Sequence, residues 1–357
     1  MNLFESFPLG NTTLKNRIVM APMTRSRAIN NVPNELMAQY YQQRASAGLI
    51  ITEGTSPSPN GIGYPRIPGA YSDEQILGWK KVADAVHAKN GKIFVQLMHT
   101  GRITGKPNLP EGAVTLAPSA ITAAGEIFTD SDGMVGHDTP RAMTLEEIET
   151  AQNEYVLASQ RLIKEAGIDG IELHSANGYL LNQFIDPQSN QRTDEYGGSI
   201  QNRARFVVET AQKVAKEIGS DKVGIRFSPY GAYNDMQADY KEQEDTFIYL
   251  AQEIAKIKLS YIHLVDQRVA FGAPDFITDI KKTIKENFKG ILISGGDINS
   301  AAKAAKIIED ELDLVYVGRP YISNPNIVEK FQDNAELVAP DADTFFSAGA
   351  EGYTDYI

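Results

Sequence analysis

Three side chains that can act on a carbonyl compound lie within six positions of the chain: His174, Asn177 and Tyr179. Imidazole and amide groups can both donate a hydrogen bond to one acceptor oxygen, and a phenol carries a transferable proton. The residues from 170 to 174 alternate between apolar and polar types, which predicts a strand, and Asn177-Gly178 is typical of a turn. The pattern therefore predicts a site, at the end of a strand, that polarises and protonates a substrate.

Strand-like and helix-like segments alternate from one end of the chain to the other. Eight strands are predicted at 16–23, 49–55, 92–98, 170–176, 223–228, 261–266, 291–296 and 314–318. Helices are predicted at 34–47, 73–89, 144–166, 199–218, 241–258, 275–288, 299–308 and 324–333. The residues from 177 to 198 are expected to be irregular. Eight strands alternating with helices predict a single α/β domain over 1–357, a (β/α)8 TIM barrel.

Two further segments are expected outside the regular alternation. Residues 4–14 contain a Gly-Asn turn signal and predict a hairpin before the first barrel strand. Residues 99–143, after strand three, form a long insertion rich in Gly, Pro and Thr, which is typical of a functional loop or cap. A doubly wound sheet would also alternate, but the usual strand count is lower and no G-x-G-x-x-G follows the first strand. The barrel is therefore the favoured fold.

Polar residues lie near the predicted carboxyl ends of the strands, where barrel enzymes carry their chemistry. Side-chain alternation places Gln96, His174 and Arg226 opposite the purely apolar faces of strands three, four and five. Because the apolar faces should meet the helices, these three side chains are expected to converge in the barrel mouth. A purely structural role for Arg226, neutralising Glu172, stays open and does not exclude ligand contact.

Two glycine-containing turns, Gly295-Gly296 and Gly318-Arg319, follow strands seven and eight. These strand ends are the usual phosphate site of a TIM barrel. Glycine lets backbone N–H groups approach an anion, and arginine adds a fixed charge. Each pair alone could serve only a tight turn, but together they favour a phosphate site.

Composition excludes several classes of function. The formal net charge of −12 argues against binding nucleic acid or an anionic membrane surface. The chain has no cysteine, which excludes disulfides, thiolate catalysis and Cys-ligated metal sites, and its five histidines show no metal-ligand spacing. No apolar run suggests a membrane span, and the first residues lack a signal-peptide pattern, so a cytoplasmic monomer or homodimer is expected.

Several motifs together resemble the old yellow enzyme family of FMN-dependent ene-reductases, and the chain is most similar to its bacterial branch of N-ethylmaleimide and pentaerythritol tetranitrate reductases. The similarity covers nearly the whole chain. The matching segments are 16–25, 95–102, 174–184, 192–199, 318–320 and 352–356. The segment 174–184, HSANGYLLNQF, is the longest and the most specific of them.

The resemblance implies roles for particular residues. Thr24 would hydrogen-bond the flavin, Gln96 and Arg226 would bind its pyrimidine side, and the two glycine turns would hold the FMN phosphate. Residues that would line the ring are Ala21, Pro22, Met23 and Gly54. His174 and Asn177 would bind the oxygen of the substrate's activating group, and Tyr179 would donate the proton. Residues that would wall the substrate pocket are Tyr64, Met98 and Tyr353.

The implied reaction is reduction of an activated C=C bond in an α,β-unsaturated aldehyde, ketone, maleimide or nitroalkene. NADPH or NADH would reduce FMN, whose N5 would then pass hydride to the substrate while Tyr179 supplies the proton. One departure concerns Met98, where many relatives carry Trp; this smaller, flexible side chain is expected to enlarge or reshape the pocket. Two alternatives stay open from the residues: a barrel aldolase or isomerase that binds a phosphorylated substrate at strands seven and eight, and a non-catalytic flavin or small-molecule binder.

Overall fold

The computed structural model describes residues 2–265, 279–309 and 312–356. Two small strands come first, followed by a closed barrel of eight parallel strands in the order β3-β4-β5-β10-β11-β12-β13-β14. The strands are β1 Phe7–Leu9, β2 Thr12–Leu14, β3 Ile18–Met20, β4 Leu49–Ile51, β5 Ile93–Leu97, β6 Leu116–Ala117, β7 Glu126–Thr129, β8 Gly133–Gly136, β9 Arg141–Ala142, β10 Gly170–Ser175, β11 Val223–Phe227, β12 Tyr261–Leu264, β13 Ile291–Gly295 and β14 Leu314–Val317. The predicted α/β TIM barrel is confirmed.

Helices follow the barrel strands along the described parts of the chain. They are α1 Glu35–Gln43, α2 Asp73–His87, α3 Leu145–Lys164, α4 Leu180–Ile185, α5 Ile200–Ile218, α6 Gln243–Ile257, α7 Ile280–Phe288, α8 Ala301–Glu309, α9 Pro320–Ser323 and α10 Ile327–Gln332. Ser72 and Thr144 form capping boxes that start α2 and α3, as their sequences predict. None of the described helices combines the length and the apolar character that crossing a bilayer requires.

The two faces of each barrel strand separate as side-chain alternation predicts. Val95 of β5, Leu173 of β10 and Ile225 of β11 belong to the large apolar cluster between barrel and helices. Phe94 instead belongs to a second cluster inside the barrel, which also contains Leu14 of the N-terminal hairpin. The predicted hairpin is confirmed, with β1 and β2 antiparallel. It packs on this interior cluster, so the polar side chains facing inward collect toward the carboxyl ends of the strands.

The segment 99–143 carries two small sheets of its own, the antiparallel β7-β8 hairpin and the parallel β6-β9 pair. Arg102 within this segment is fully buried, and its guanidinium donates to the backbone oxygen of Asp235 at 2.7 Å. Asp235 follows β11, so this contact ties the insertion to a loop at the carboxyl end of the barrel. That placement fits the expected cap.

The prediction that residues 177–198 are irregular was wrong in one part, because α4 occupies 180–185. Its six residues are all buried, and such a run has no amphipathic period for a sequence argument to detect. The last helix was predicted to begin at 324 but begins at 327. The side chain of Asn324 donates to the backbone oxygens of Pro320 and Val338, which holds the chain outside a helix there. The last residue of the predicted strand 261–266 and the start of the predicted helix 275–288 lie outside the described residues.

Candidate active site

A hydrogen-bonded polar layer crosses the barrel interior below its mouth. Gln96 Nε2 donates to Glu172 Oε1 at 2.7 Å, and Glu172 Oε2 lies 2.9 Å from His263 Nδ1. Burial acts to raise the pKa of Glu172, but His263, Arg226 and Gln96 together bring this pKa below its ordinary value. The carboxylate is therefore charged. Arg226 contributes to its neutralisation by charge, while the hydrogen bonds that satisfy Glu172 come from Gln96 and His263.

His174 stands above this layer, in register with Arg226 of the neighbouring strand. Its side chain is buried, and its Nδ1 has no hydrogen-bond partner among the described residues. Burial, with the charges of Arg226 and His263, holds the pKa of His174 well below its ordinary value of 6.5. The imidazole is therefore neutral near pH 7, with one N–H to donate and one nitrogen to accept.

The turn after β10 is fixed by its own backbone requirements. Asn177 and Gly178 have φ of 58° and 77°, a left-handed conformation that suits Asn and Gly. The Asn177 N–H donates to Ser228 Oγ, and its carbonyl accepts from Asn234 Nδ2, both at 2.8 Å. A Cβ at position 178 would stand 2.7 Å from Cβ of Asn234, so only glycine fits. These contacts fix the backbone from which the Asn177 side chain projects.

Tyr179 immediately precedes α4, and its ring meets the ring of His174 edge-on, with 4.9 Å between centroids. The Tyr179 hydroxyl oxygen lies 3.2 Å from that of Tyr64. Burial raises the pKa of the Tyr179 phenol above its ordinary value of 10. The phenol is therefore fully protonated near neutral pH, as a proton donor requires.

Tyr179 and Tyr64 both face a cavity of about 680 Å³, here called the larger cavity. Its other lining residues include Thr24 on the barrel side and residues of the β7-β8 hairpin and the C-terminal segment on the outer side. Besides Thr24, the other lining residues are Ser26, Pro65, Glu126, Ile127, Phe128, Met134, His137, Tyr233, Asn234, Asp343, Phe346 and Ser347. A volume of this size accommodates a small organic molecule.

A second cavity of about 270 Å³, the smaller cavity, lies over the ends of β3, β11, β13 and β14. It gathers most of the residues to which the resemblance assigns the cofactor. These are Ala21, Pro22, Met23, Arg226, Gly296, Gly318 and Arg319, together with Asn177, Val265, Asp297, Ile298, Tyr316 and Pro320. Met23 borders this cavity and Thr24 borders the larger one, so the two cavities adjoin along the chain after β3.

Some predicted site residues pack behind the two cavities and do not line them. Gly54 is buried against Met98, and a Cβ at position 54 would stand 2.5 Å from the Met98 sulfur. Met98 itself is buried in an apolar cluster with Tyr179, so it supports the larger cavity from behind. Gly295 ends β13 beside Gly296, and a Cβ on it would press on the backbone oxygen of Tyr316 at 2.5 Å.

Tyr353, which is predicted to wall the substrate pocket, packs against aromatic and arginine side chains. Its ring is fully buried and stacks on Tyr40, with 4.0 Å between centroids and 4° between ring planes. The guanidinium groups of Arg25 and Arg27 lie over its faces. Among the described residues it borders neither cavity, because this stacking holds the ring in the core.

Two residues with contacts to the proposed site were not found from the sequence, Tyr233 and Asn234. Both lie in the loop after β11 and line the larger cavity. Asn234 donates to the Asn177 carbonyl, and its side chain also interacts with those of Tyr64 and Tyr179. The available signal was their position: a loop at the carboxyl end of a barrel strand is where such residues are expected.

The sequence profile of the NADH:flavin oxidoreductase / NADH oxidase family matches residues 2–337. The chain belongs to this family. A probable flavin mononucleotide-dependent alkene reductase of Leishmania infantum is 40% identical over 98% of this chain and 95% of its own length. Morphinone reductase in complex with tetrahydroNAD is 41% identical, covers 100% of this chain and 97% of its own, and superposes with a TM-score of 0.93. An old yellow enzyme homologue from Zymomonas mobilis is 36% identical with a TM-score of 0.94, over 100% and 99% of the two chains.

As a member of this flavin oxidoreductase family, the protein is an FMN-dependent, NAD(P)H-consuming ene-reductase. The smaller cavity fits that cofactor on two independent grounds. The Arg226 Nε atom is buried without a partner among the described residues. At Gly318 an added Cβ would meet no atom within 4 Å, which leaves room for an anion to approach the backbone. The aldolase or isomerase alternative is not favoured.

Proposed function

We propose that His174 and Asn177 bind the oxygen of the activating group of an α,β-unsaturated aldehyde, ketone, maleimide or nitroalkene, and that Tyr179 protonates the α carbon. The observation that carries the proposal is the arrangement of His174 and Tyr179. A neutral imidazole, one nitrogen of which has no partner within the described parts of the chain, stands edge-on to a protonated phenol, and that phenol faces a cavity of substrate size. The imidazole can polarise the substrate oxygen while the phenol supplies a proton, and reduction of an activated C=C bond needs both functions.

The proposal assigns the cofactor to the smaller cavity. Ala21, Pro22 and Met23, supported by Gly54, would pack along the ring, with Thr24 at its edge. Gln96 and Arg226 would bind its polar side, and the turns at Gly295-Gly296 and Gly318-Arg319 would hold the phosphate. When bound, FMN supplies the hydride that adds to the β carbon of the substrate.

The proposed oxygen-binding residues would stabilise the negative charge that develops on the substrate. As the hydride adds, negative charge builds on the activating oxygen, and donors already in place stabilise it at no cost of reorganisation. The Asn177 backbone is held by Ser228 and Asn234, so its amide is oriented before the substrate arrives. The cytoplasmic location, the single domain and the monomeric or homodimeric state stay predictions.

The test uses the purified protein reconstituted with FMN. We expect yellow protein with flavin absorbance, bleaching of that absorbance by NADPH or NADH under anaerobic conditions, and recovery when 2-cyclohexenone is added. Saturated cyclohexanone serves as the control, because it offers the same carbonyl without an activated C=C bond. Protein that takes up no FMN, or reduced protein that the enone does not reoxidise, would contradict the proposal.

The rate of reoxidation by the enone is expected to be independent of pH between about 6 and 9. The pKa of His174 is held well below 6.5, so this group is already neutral at the bottom of the range. The pKa of Tyr179 is raised above 10, so the phenol is still protonated at the top. Stopped-flow measurement of the pre-reduced enzyme separates this step from flavin reduction. An inflection near pH 6.5 would show that His174 titrates during the reaction.

A further inference from the structure

The proton donor is the first member of a row of three phenols. The hydroxyl oxygen of Tyr179 lies 3.2 Å from that of Tyr64. Tyr233 lines the same cavity, and its side chain interacts with that of Tyr64. All three line the larger cavity; Tyr179 is buried, whereas Tyr64 and Tyr233 are partly exposed. The row therefore leads from the proposed donor toward solvent.

The proposed reaction requires a route by which Tyr179 regains its proton. Once Tyr179 has given its proton to carbon, a phenolate is left in a buried position where a charge is strongly disfavoured. Bound substrate occupies the cavity side of Tyr179 at that moment, so cavity water has poor access to it. The Tyr64 hydroxyl already lies at hydrogen-bonding distance and can rotate to donate. Replacement of the proton can thus begin before the product leaves.

We propose that Tyr64 and Tyr233 form a proton relay that recharges Tyr179 from solvent while the substrate is still bound. This inference rests on the proposed donor role of Tyr179. The O–H bond of Tyr179 breaks as its proton bonds to the α carbon. Tyr64 passes its proton to the Tyr179 oxygen, and Tyr233 passes its proton to the Tyr64 oxygen. Tyr233 then takes a proton from a solvent acid, so that one solvent proton enters for each proton delivered.

The loop after β11 holds the relay in position. Asn234 donates to the Asn177 carbonyl at 2.8 Å, and its side chain also interacts with those of Tyr64 and Tyr179. Asn234 and Asp235 both have φ of 59°, and Asp235 is anchored by the buried Arg102. The same loop thereby positions Tyr233, the proton donors and the oxygen-binding turn. Asn234 is a positioning residue in this scheme.

The discriminating variant is Tyr233→Phe, because the Tyr233 hydroxyl is separated from Tyr179 by a whole residue of the relay. The pre-reduced holoenzyme is mixed with 2-cyclohexenone in H2O–D2O mixtures, and the single-turnover rate is plotted against the deuterium fraction. We expect a bowed plot for the unchanged protein, because more than one proton moves. Tyr233→Phe should reduce the curvature, because the proton that Tyr64 gives up can no longer be replaced through the relay, and slow the step by roughly tenfold, less than the ~10²–10⁴ of a lost general acid. Tyr71→Phe is the matched control, since Tyr71 packs on the same apolar cluster outside the relay.

A second measurement does not depend on turnover. In protein labelled with carbon-13 at the tyrosine ring carbon that bears oxygen, the Tyr179 resonance should shift in Tyr64→Phe and Tyr233→Phe but not in Tyr71→Phe. An isotope plot as strongly bowed in Tyr233→Phe as in the unchanged protein would overturn the relay. Failure of the relay leaves the proposed function intact, because the donor role itself is tested by Tyr179→Phe.

Discussion

Replacing Tyr179 with phenylalanine is expected to slow reoxidation of the reduced enzyme by an enone by about 10²–10⁴, the usual contribution of a positioned general acid. The substitution removes one hydroxyl, and the ring keeps its edge-on contact with His174. Its apolar neighbours in the cluster with Met98 are likewise unchanged. The loss should therefore reflect proton delivery rather than collapse of the cavity.

The measurement separates the two halves of the reaction by stopped flow. Reduction of bound FMN by NADPH or NADH should keep its rate, because no proton from Tyr179 is needed there. The whole loss of rate should fall on reoxidation by 2-cyclohexenone. Tyr71→Phe should leave the rates of both half-reactions unchanged. A nitroalkene, whose reduction leaves a more stable anion, should show a smaller loss than the enone. Unchanged reoxidation of both substrates would show that the proton comes from another source.

The barrel was predictable because its signals are local and repeated. Ile93, Val95 and Leu97 alternate with Phe94 and Gln96, and the two sets lie on opposite sides of the sheet as period-two alternation requires. The same rule predicted that Gln96 and Arg226 face the barrel interior, without any information on distances between residues. The partner that satisfies Glu172 was not predictable. His263 lies on a strand whose sequence is typical of an apolar core. Only the order of the strands in the barrel brings it next to Glu172.

Tyr233 and Asn234 show where sequence reasoning ends. Their loop is irregular, and its place over the active site depends on anchors far along the chain, such as Arg102 with Asp235. Tyr353 shows a second limit. A matching motif assigns it to the substrate wall, but the sequence does not predict its stacking on Tyr40 or its contacts with two buried arginines. A motif identifies which residues belong to a site, while packing decides which of them reach its surface.

Removing both proposed oxygen donors should have the second large effect on the reaction rate. The backbone conformation at Asn177 determines which substitution is suitable there. Asn177 has φ of 58°, so alanine there would add strain that has nothing to do with hydrogen bonding. Asn177→Gly removes the amide and keeps the turn, and His174→Ala removes the imidazole. One lost oxyanion donor typically costs ~10²–10³ in rate, and two donors to one oxygen are not expected to be additive.

Binding of a phenol to the oxidised holoenzyme isolates this role from catalysis, because a phenolate oxygen resembles the oxygen on which charge develops. The double variant His174→Ala, Asn177→Gly should weaken phenol binding by at least about tenfold, or ~1.4 kcal/mol, in a spectroscopic titration. Asn30→Gly is the matched control, since Asn30 is an exposed asparagine with φ of 56° that lines neither cavity. FMN content should be equal in all three proteins. Unaltered phenol affinity in the double variant would mean that the oxygen is held elsewhere, and Tyr179 would then lack a substrate oriented for its proton.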